Sequence, residues 1–164
     1  MSVIKQNDPN HLVGVGDEGF FKHPLSRSFL YDGKNGVDAA RLLDIHAVDF
    51  GTFHLYPQGW GQDRDFGRKW IEEHLKLGRS AGKPMLLEEF GVSLDGNFVS
   101  GTEDRNALYA EWLDAAAEQD GAGTLFWMLA GGSFEYCVQE GSRSDSRPLV
   151  SCRGVCARGL DAKH

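Results

Sequence analysis

The 164-residue sequence has only three cysteines and five prolines. Cys137, Cys152 and Cys156 all lie in the last quarter of the chain. An odd number without C-x-x-C spacing argues against a disulfide framework or a zinc site. The six histidines are scattered, with no H-E-x-x-H or close pair, so no metal or other cofactor is expected. No apolar run approaches the roughly 20 residues of a membrane span, and no membrane partner is expected. The opening "MSVIKQNDPN" lacks a secretory hydrophobic segment, so the chain as written is expected to carry no export signal. Cationic excess is missing too: 17 Lys and Arg against 24 Asp and Glu leave a net charge of −7. Binding a phosphate backbone needs a basic face, so a nucleic-acid partner is excluded, whereas a neutral polysaccharide is not. Length is also short, since a complete α/β barrel needs about 250 residues.

Alternation of apolar runs and helical periods is what the chain does have. "HLVGVG" (11–16), "HAVDFGTFHLYP" (46–57), "PMLLEEFG" (84–91) and "GTLFWMLAGG" (123–132) read as strands. Between them "VDAARLLD" predicts a short helix with Asp38 near its start. "FGRKWIEEHLKLGRSAG" predicts a longer one through Trp70, Ile71, His74, Leu75 and Gly78. "TEDRNALYAEWLDAAAEQDG" predicts a third, capped by Thr102, ended by Gly121 at C′, with Leu108, Trp112, Leu113 and Ala116 on its apolar face. Strands joined by helices imply a parallel sheet. Residues 1–132 are therefore expected to form one α/β domain. The Ser-, Arg- and Gly-rich residues 133–164 are expected to form an irregular tail.

Chemistry concentrates at the ends of these strands. "GVGDEG" (14–19) fits G-x-G-x-x-G by letter, but Asp17 and Glu18 would repel phosphate and Pro24 follows, so it reads as a strand-end loop. In "DFGTFHLYP" strand alternation places Phe53 and Leu55 on one face and Thr52, His54 and Tyr56 on the other. In "LLEEFG" the same rule separates Glu88 from Glu89. Glu89, sharing parity with Met85 and Leu87, becomes the inward carboxylate, and Glu88 is expected to meet a helix-side donor. A buried carboxylate needs a hydrogen bond or a pair, which His54 or Tyr56 could supply. Taken alone, Trp127 reads as core, and Trp60 as an exposed residue lining a cleft.

The blocks "DPNHLVGVGDEGFF", "DFGTFHLYPQGWG", "GKPMLLEEFG" and "GTLFWML", in this order, resemble the second half of the endo-β-1,4-mannanases of glycoside hydrolase family five, over residues 3–130. The resemblance implies half of a (β/α)₈ barrel, about four parallel strands with intervening helices. It also implies metal-independent, retaining cleavage of internal β-1,4 bonds in mannan or glucomannan. Glu89 would be the nucleophile, His54 and Tyr56 would orient the carboxylates, Trp127 would lie under the sugar at the cleavage point, and Trp60 would line the cleft. Secretion of the full-length parent is implied as well.

Two features depart from the family pattern. The Asn-Glu dipeptide that carries the family's acid/base glutamate is absent, and retaining hydrolysis needs two carboxyl groups. Glu18, at the end of the first strand, is the nearest substitute acid/base, and Glu89 of a second copy is another. A half-barrel also exposes two sheet edges and an apolar inner face, so a homodimer or higher homo-oligomer is expected. An inactive or weakly active half-barrel that only binds β-mannan oligosaccharides is the alternative reading.

Overall fold

The computed structural model describes residues 3–128. The tail expected over 133–164 and the three cysteines lie outside the described residues. The chain divides into two compact units, Met1–Phe126 and Trp127–His164, and the fold described here is that of the first.

After a short helix α1 (Val3–Asn7), four strands form one sheet: β1 (Gly14–Val15), β2 (Phe50–Leu55), β3 (Met85–Phe90) and β4 (Gly123–Thr124). They lie in the order β1-β2-β3-β4 and every neighbouring pair is parallel. A parallel neighbour can be reached only by a crossover. That crossover contains α2 (Ala39–Leu43) between β1 and β2, α3 (Asp65–Ala81) between β2 and β3, and α4 (Thr102–Glu118) between β3 and β4. Strands added one after another in chain order, without a reversal, make a barrel segment rather than a doubly wound sheet.

Each helix starts and stops for a local reason. Asp38 caps α2, its Oδ1 accepting from the Arg41 amide at 3.2 Å. Trp70, Ile71, His74 and Leu75 form one buried stripe along α3. The helix stops at Gly82, whose φ of +66° is the left-handed conformation that glycine adopts without strain. Gly67 gives α4 its close approach, because a Cβ there would run into the Trp112 indole.

α4 corrects three expectations. Gly101, not Thr102, stands at the N-cap. The first turn is served instead by Asp104, which accepts from the Ser100 amide at 2.8 Å. At the other end Asp120, not Gly121, takes the left-handed position, with φ +56°. Gly121 N then donates to Ala116 O at 2.9 Å and Asp120 N to Ala117 O at 3.2 Å. Finally, the buried stripe is Arg105, Leu108, Trp112, Ala115 and Ala116. Leu113 lies one residue, about 100° of helix rotation, past Trp112 and is exposed.

Phe53 and Leu55 of β2 pack with Met85, Leu87 and Phe90 of β3 and the helix stripes in one core, around the fully buried Trp70 and Trp112. Removing such a side chain from water stabilises by about 1.5–3 kcal/mol. The last strand is shorter than its apolar run predicts. Leu125 N still donates to Leu87 O at 2.8 Å, yet Leu125 and Phe126 are about half exposed. Among the described residues β4 has a neighbouring strand only on its β3 side.

Candidate functional site

Parallel alignment brings the C-terminal ends of β1, β2 and β3 together, and the chemistry-bearing residues collect there. β2 follows the alternation rule: Phe53 and Leu55 are fully buried on the helix side, while His54 and Tyr56 are only partly buried. Thr52, on the His54 face, is buried and ties β2 to β1 by donating its hydroxyl to Val15 O at 2.6 Å. Trp70 of α3 donates its indole N–H to His54 O at 2.8 Å, fixing the strand end from behind.

β3 breaks the rule. Phe53 is paired with Leu87 and His54 with Glu89, so Glu88 is an extra residue in the ladder, a bulge. Met85 and Leu87 face the helix-side core, so strict alternation would have sent Glu89 there too. The bulge turns Glu89 to the His54 side, where Glu88 already is. The expectation that the adjacent glutamates cannot share a face is therefore overturned. So is the expectation of a helix-side donor for Glu88.

His54 stands between three carboxylates. Its Nε2 is 3.3 Å from Glu88 Oε2, and its Nδ1 is 3.7 Å from both Glu18 Oε2 and Glu89 Oε2. The longer separations are ion-pair distances rather than hydrogen bonds. His54 Nδ1 and Glu18 Oε2 are buried without a hydrogen-bond partner among the described residues. Burial disfavours charge on His54, but Glu18, Glu89 and Glu88 outweigh it and hold its pKa above the ordinary value of 6.5.

Tyr56 donates its hydroxyl to Glu89 Oε2 at 2.6 Å, a short charge-assisted bond. Burial, then the bond to Glu89, push the Tyr56 pKa up, so the phenol stays a donor. Asp17 joins the same region. Its pKa is raised by burial, with Glu18 and Glu88 adding to that, against the Gly19 amide and His54. The bond from Gly19 N to Asp17 Oδ1, 2.7 Å, closes the loop after β1 as a tight turn. The helix that a dinucleotide loop would need does not open there; the next helix is α2.

Trp60 is half-buried rather than exposed. Its ring meets Phe20 at 5.6 Å, Tyr56 at 6.3 Å and Trp70 at 5.6 Å, all edge-on. Trp127, 48% exposed rather than core, begins the second compact unit. Among the described residues, no group of three or more His, Cys, Asp or Glu side chains is arranged to hold a metal ion.

This arrangement of strand-end carboxylates accompanies a clear family match. Residues 1–135 match the family model described as GH family 5 beta-mannosidase-like. The chain belongs to that family. This glycoside hydrolase family 5 chain is 40% identical over 135 residues to a probable mannan endo-1,4-beta-mannosidase A of Aspergillus oryzae, covering 79% of this chain and 33% of that protein. It is also 40% identical over 127 residues to a mannan endo-1,4-beta-mannosidase A of Podospora anserina, covering 76% of this chain and 31% of that one. Among solved structures, the endo-1,4-beta-mannanase of Rhizomucor miehei superposes with a TM-score of 0.69 at 39% identity, over 77% of this chain and 34% of its own. The endo-beta-1,4-mannanase of Thermotoga petrophila does so with a TM-score of 0.69 at 42% identity, over 90% and 32%. The family 5 chain thus spans about a third of the length of these relatives, and its four-stranded sheet is a partial barrel.

Sequence reasoning missed the contact of Glu88 with His54, because nothing in "LLEEFG" announces a bulge. It also missed the tie made by His74, whose Nε2 lies 2.8 Å from Gly19 O and so holds the Asp17–Glu18 loop to α3. An isolated histidine on an apolar helix stripe was the available signal.

Proposed function

We propose that this chain carries the nucleophile side of a retaining β-1,4-mannan-cleaving site, with Glu89 as nucleophile. The observation that carries the reading is the pair of contacts on Glu89 Oε2: Tyr56 Oη at 2.6 Å and His54 Nδ1 at 3.7 Å, from the neighbouring strand end. Such contacts hold a carboxylate oxygen in one direction, as in-line attack requires. Glu89 attacks the anomeric carbon of a mannosyl unit, and the bond to the leaving oxygen breaks as that oxygen takes a proton from a second carboxyl group. Water then attacks the glycosyl-enzyme ester, gives its proton to the same second group and frees Glu89.

Glu18 is the second carboxylate of this proposal. Its Oε2 and that of Glu89 each lie 3.7 Å from one nitrogen, so they are separated by no more than twice that distance. This bound accommodates the roughly 5–5.5 Å typical of retaining pairs. The relatives named for mannan support β-mannan as substrate, and Trp60, against Tyr56 at 6.3 Å, is the aromatic face of this proposal. Assembly as a homodimer belongs to the same proposal. Leu12, just before β1, and Leu125 and Phe126, just after β4, leave apolar side chains exposed at both edges of the sheet.

The test is reducing-sugar release from galactomannan by the wild type, Glu89→Ala and Glu18→Ala. Wild-type activity that Glu89→Ala abolishes, with a smaller loss in Glu18→Ala, is expected. Equal rates in all three remove the assignment. Manno-oligosaccharide binding without sugar release would mark a binding module instead.

A further inference from the structure

Glu88 has no task in the proposed cleavage, yet the bulge on β3 turns two consecutive carboxylates to one side of the sheet. A bulge interrupts the ladder, and neighbouring like charges repel unless a cation or a donor lies between them. Among the described residues, no lysine or arginine forms an ion pair with Glu18, Glu88 or Glu89; each of the three faces His54. Glu88 has room because Gly16, at the end of β1, has no side chain. A Cβ there would stand 3.3 Å from Glu88 Oε2, a tight contact. β1, β2 and β3 thus each contribute one feature to a single contact: Gly16 the space, His54 the ring, Glu88 the acceptor.

We propose that Glu88 is a positioning residue: brought into the site by the bulge, its carboxylate engages His54 Nε2 and keeps Nδ1 turned to the gap between Glu18 and Glu89. The imidazole has two distinct nitrogens, and the partner of one decides what the other can offer. With Nε2–H directed at Glu88, an uncharged ring would present only a lone pair to two carboxylates. A protonated ring presents N–H on both sides. Glu88 therefore favours the imidazolium, which then lies within 3.7 Å of both carboxylates proposed to do the chemistry. Asp17 and Glu18 from the loop after β1, Tyr56 from β2, and Glu88 and Glu89 from β3 are the titratable groups around the ring. From α3, the Trp70 indole N–H is bonded to His54 O.

The inference rests on the proposed mannan-cleaving role of Glu89, but its first readout does not. The titration of the His54 ring is followed by NMR in the wild type and in Glu88→Gln, with circular dichroism establishing that the variant folds and Glu88→Asp as a second variant should Gln misfold. The His54 midpoint falls in Glu88→Gln if Glu88 favours the charged ring. An unchanged midpoint overturns the proposal, whatever the protein does to mannan. On galactomannan, kcat falls ~10- to 100-fold in Glu88→Gln while KM stays near wild type, and the acid-to-neutral pH profile moves with the His54 midpoint. A wild-type kcat and profile overturn the positioning role. Absence of activity in the wild type itself overturns the Glu89 reading, and the titration then decides the Glu88–His54 contact alone.

Discussion

Acid acts on this fold through His74, the fully buried imidazole of α3. Its ring stacks on Phe53 at 4.3 Å and tilts against Trp70 at 4.4 Å. Nδ1 and Nε2 each lie 2.8 Å from a carbonyl oxygen, of Trp70 and Gly19. A neutral ring has one N–H, so only one of these contacts is a hydrogen bond, and both carbonyls favour the charged form. Burial opposes them and wins, pushing the pKa down from 6.5 to about 4. Between those values the unfolded chain binds a proton that the native state does not, so stability falls as pH falls from 6.5 toward about 4. The whole difference is worth about 3 kcal/mol, of which about 2 kcal/mol is lost between pH 7 and pH 5. His54 has the opposite sign. Its raised pKa contributes stability that is complete below 6.5 and is lost as pH rises through the folded value. Urea unfolding of the wild type and His74→Gln at both pH values separates the two. His74→Gln should be the less stable protein at pH 7, yet lose about 2 kcal/mol less on acidification. Equal losses in the two proteins would refute the assignment of the acid sensitivity to His74.

Tyr56→Phe removes the 2.6 Å donor on Glu89 with little change of shape. Its kcat on galactomannan should fall ~10- to 100-fold with an unchanged circular-dichroism spectrum, and an undiminished rate would dismiss Tyr56 from the site. Leu108→Ala, at a fully buried position on α4, should cost about 2–5 kcal/mol in urea unfolding. Leu113→Ala, on the exposed side of the same helix, should change stability by less than about 0.5 kcal/mol. Comparable losses would contradict the α4 stripe.

The long helices and the β2 faces were legible because their signals are local and periodic. The α3 stripe through Trp70, Ile71, His74 and Leu75 can be read from spacing alone, as can the division of Phe53 and Leu55 from His54 and Tyr56. Parity failed at Glu88 because the period of two assumes an unbroken ladder, and a bulge depends on the neighbouring strand. The burial of Trp60 is not legible, because a tryptophan after a strand carries no mark of Phe20, far away in sequence, against which it packs. The apolar composition of the run after Gly123 reports what that segment can pack against. It does not report whether a neighbour is there.

The proposed role of Glu89 as nucleophile can be tested apart from any second carboxylate. A dinitrophenyl β-mannobioside fluorinated beside the anomeric carbon has a leaving group that departs without a proton, so formation of the glycosyl-enzyme does not depend on Glu18. The protein is incubated with this reagent, digested and sequenced by mass spectrometry. One mannobiosyl ester, on Glu89, is expected, and none in Glu89→Ala. An ester on Glu88 or Glu18, or a wild-type protein that is never labelled, would contradict that role.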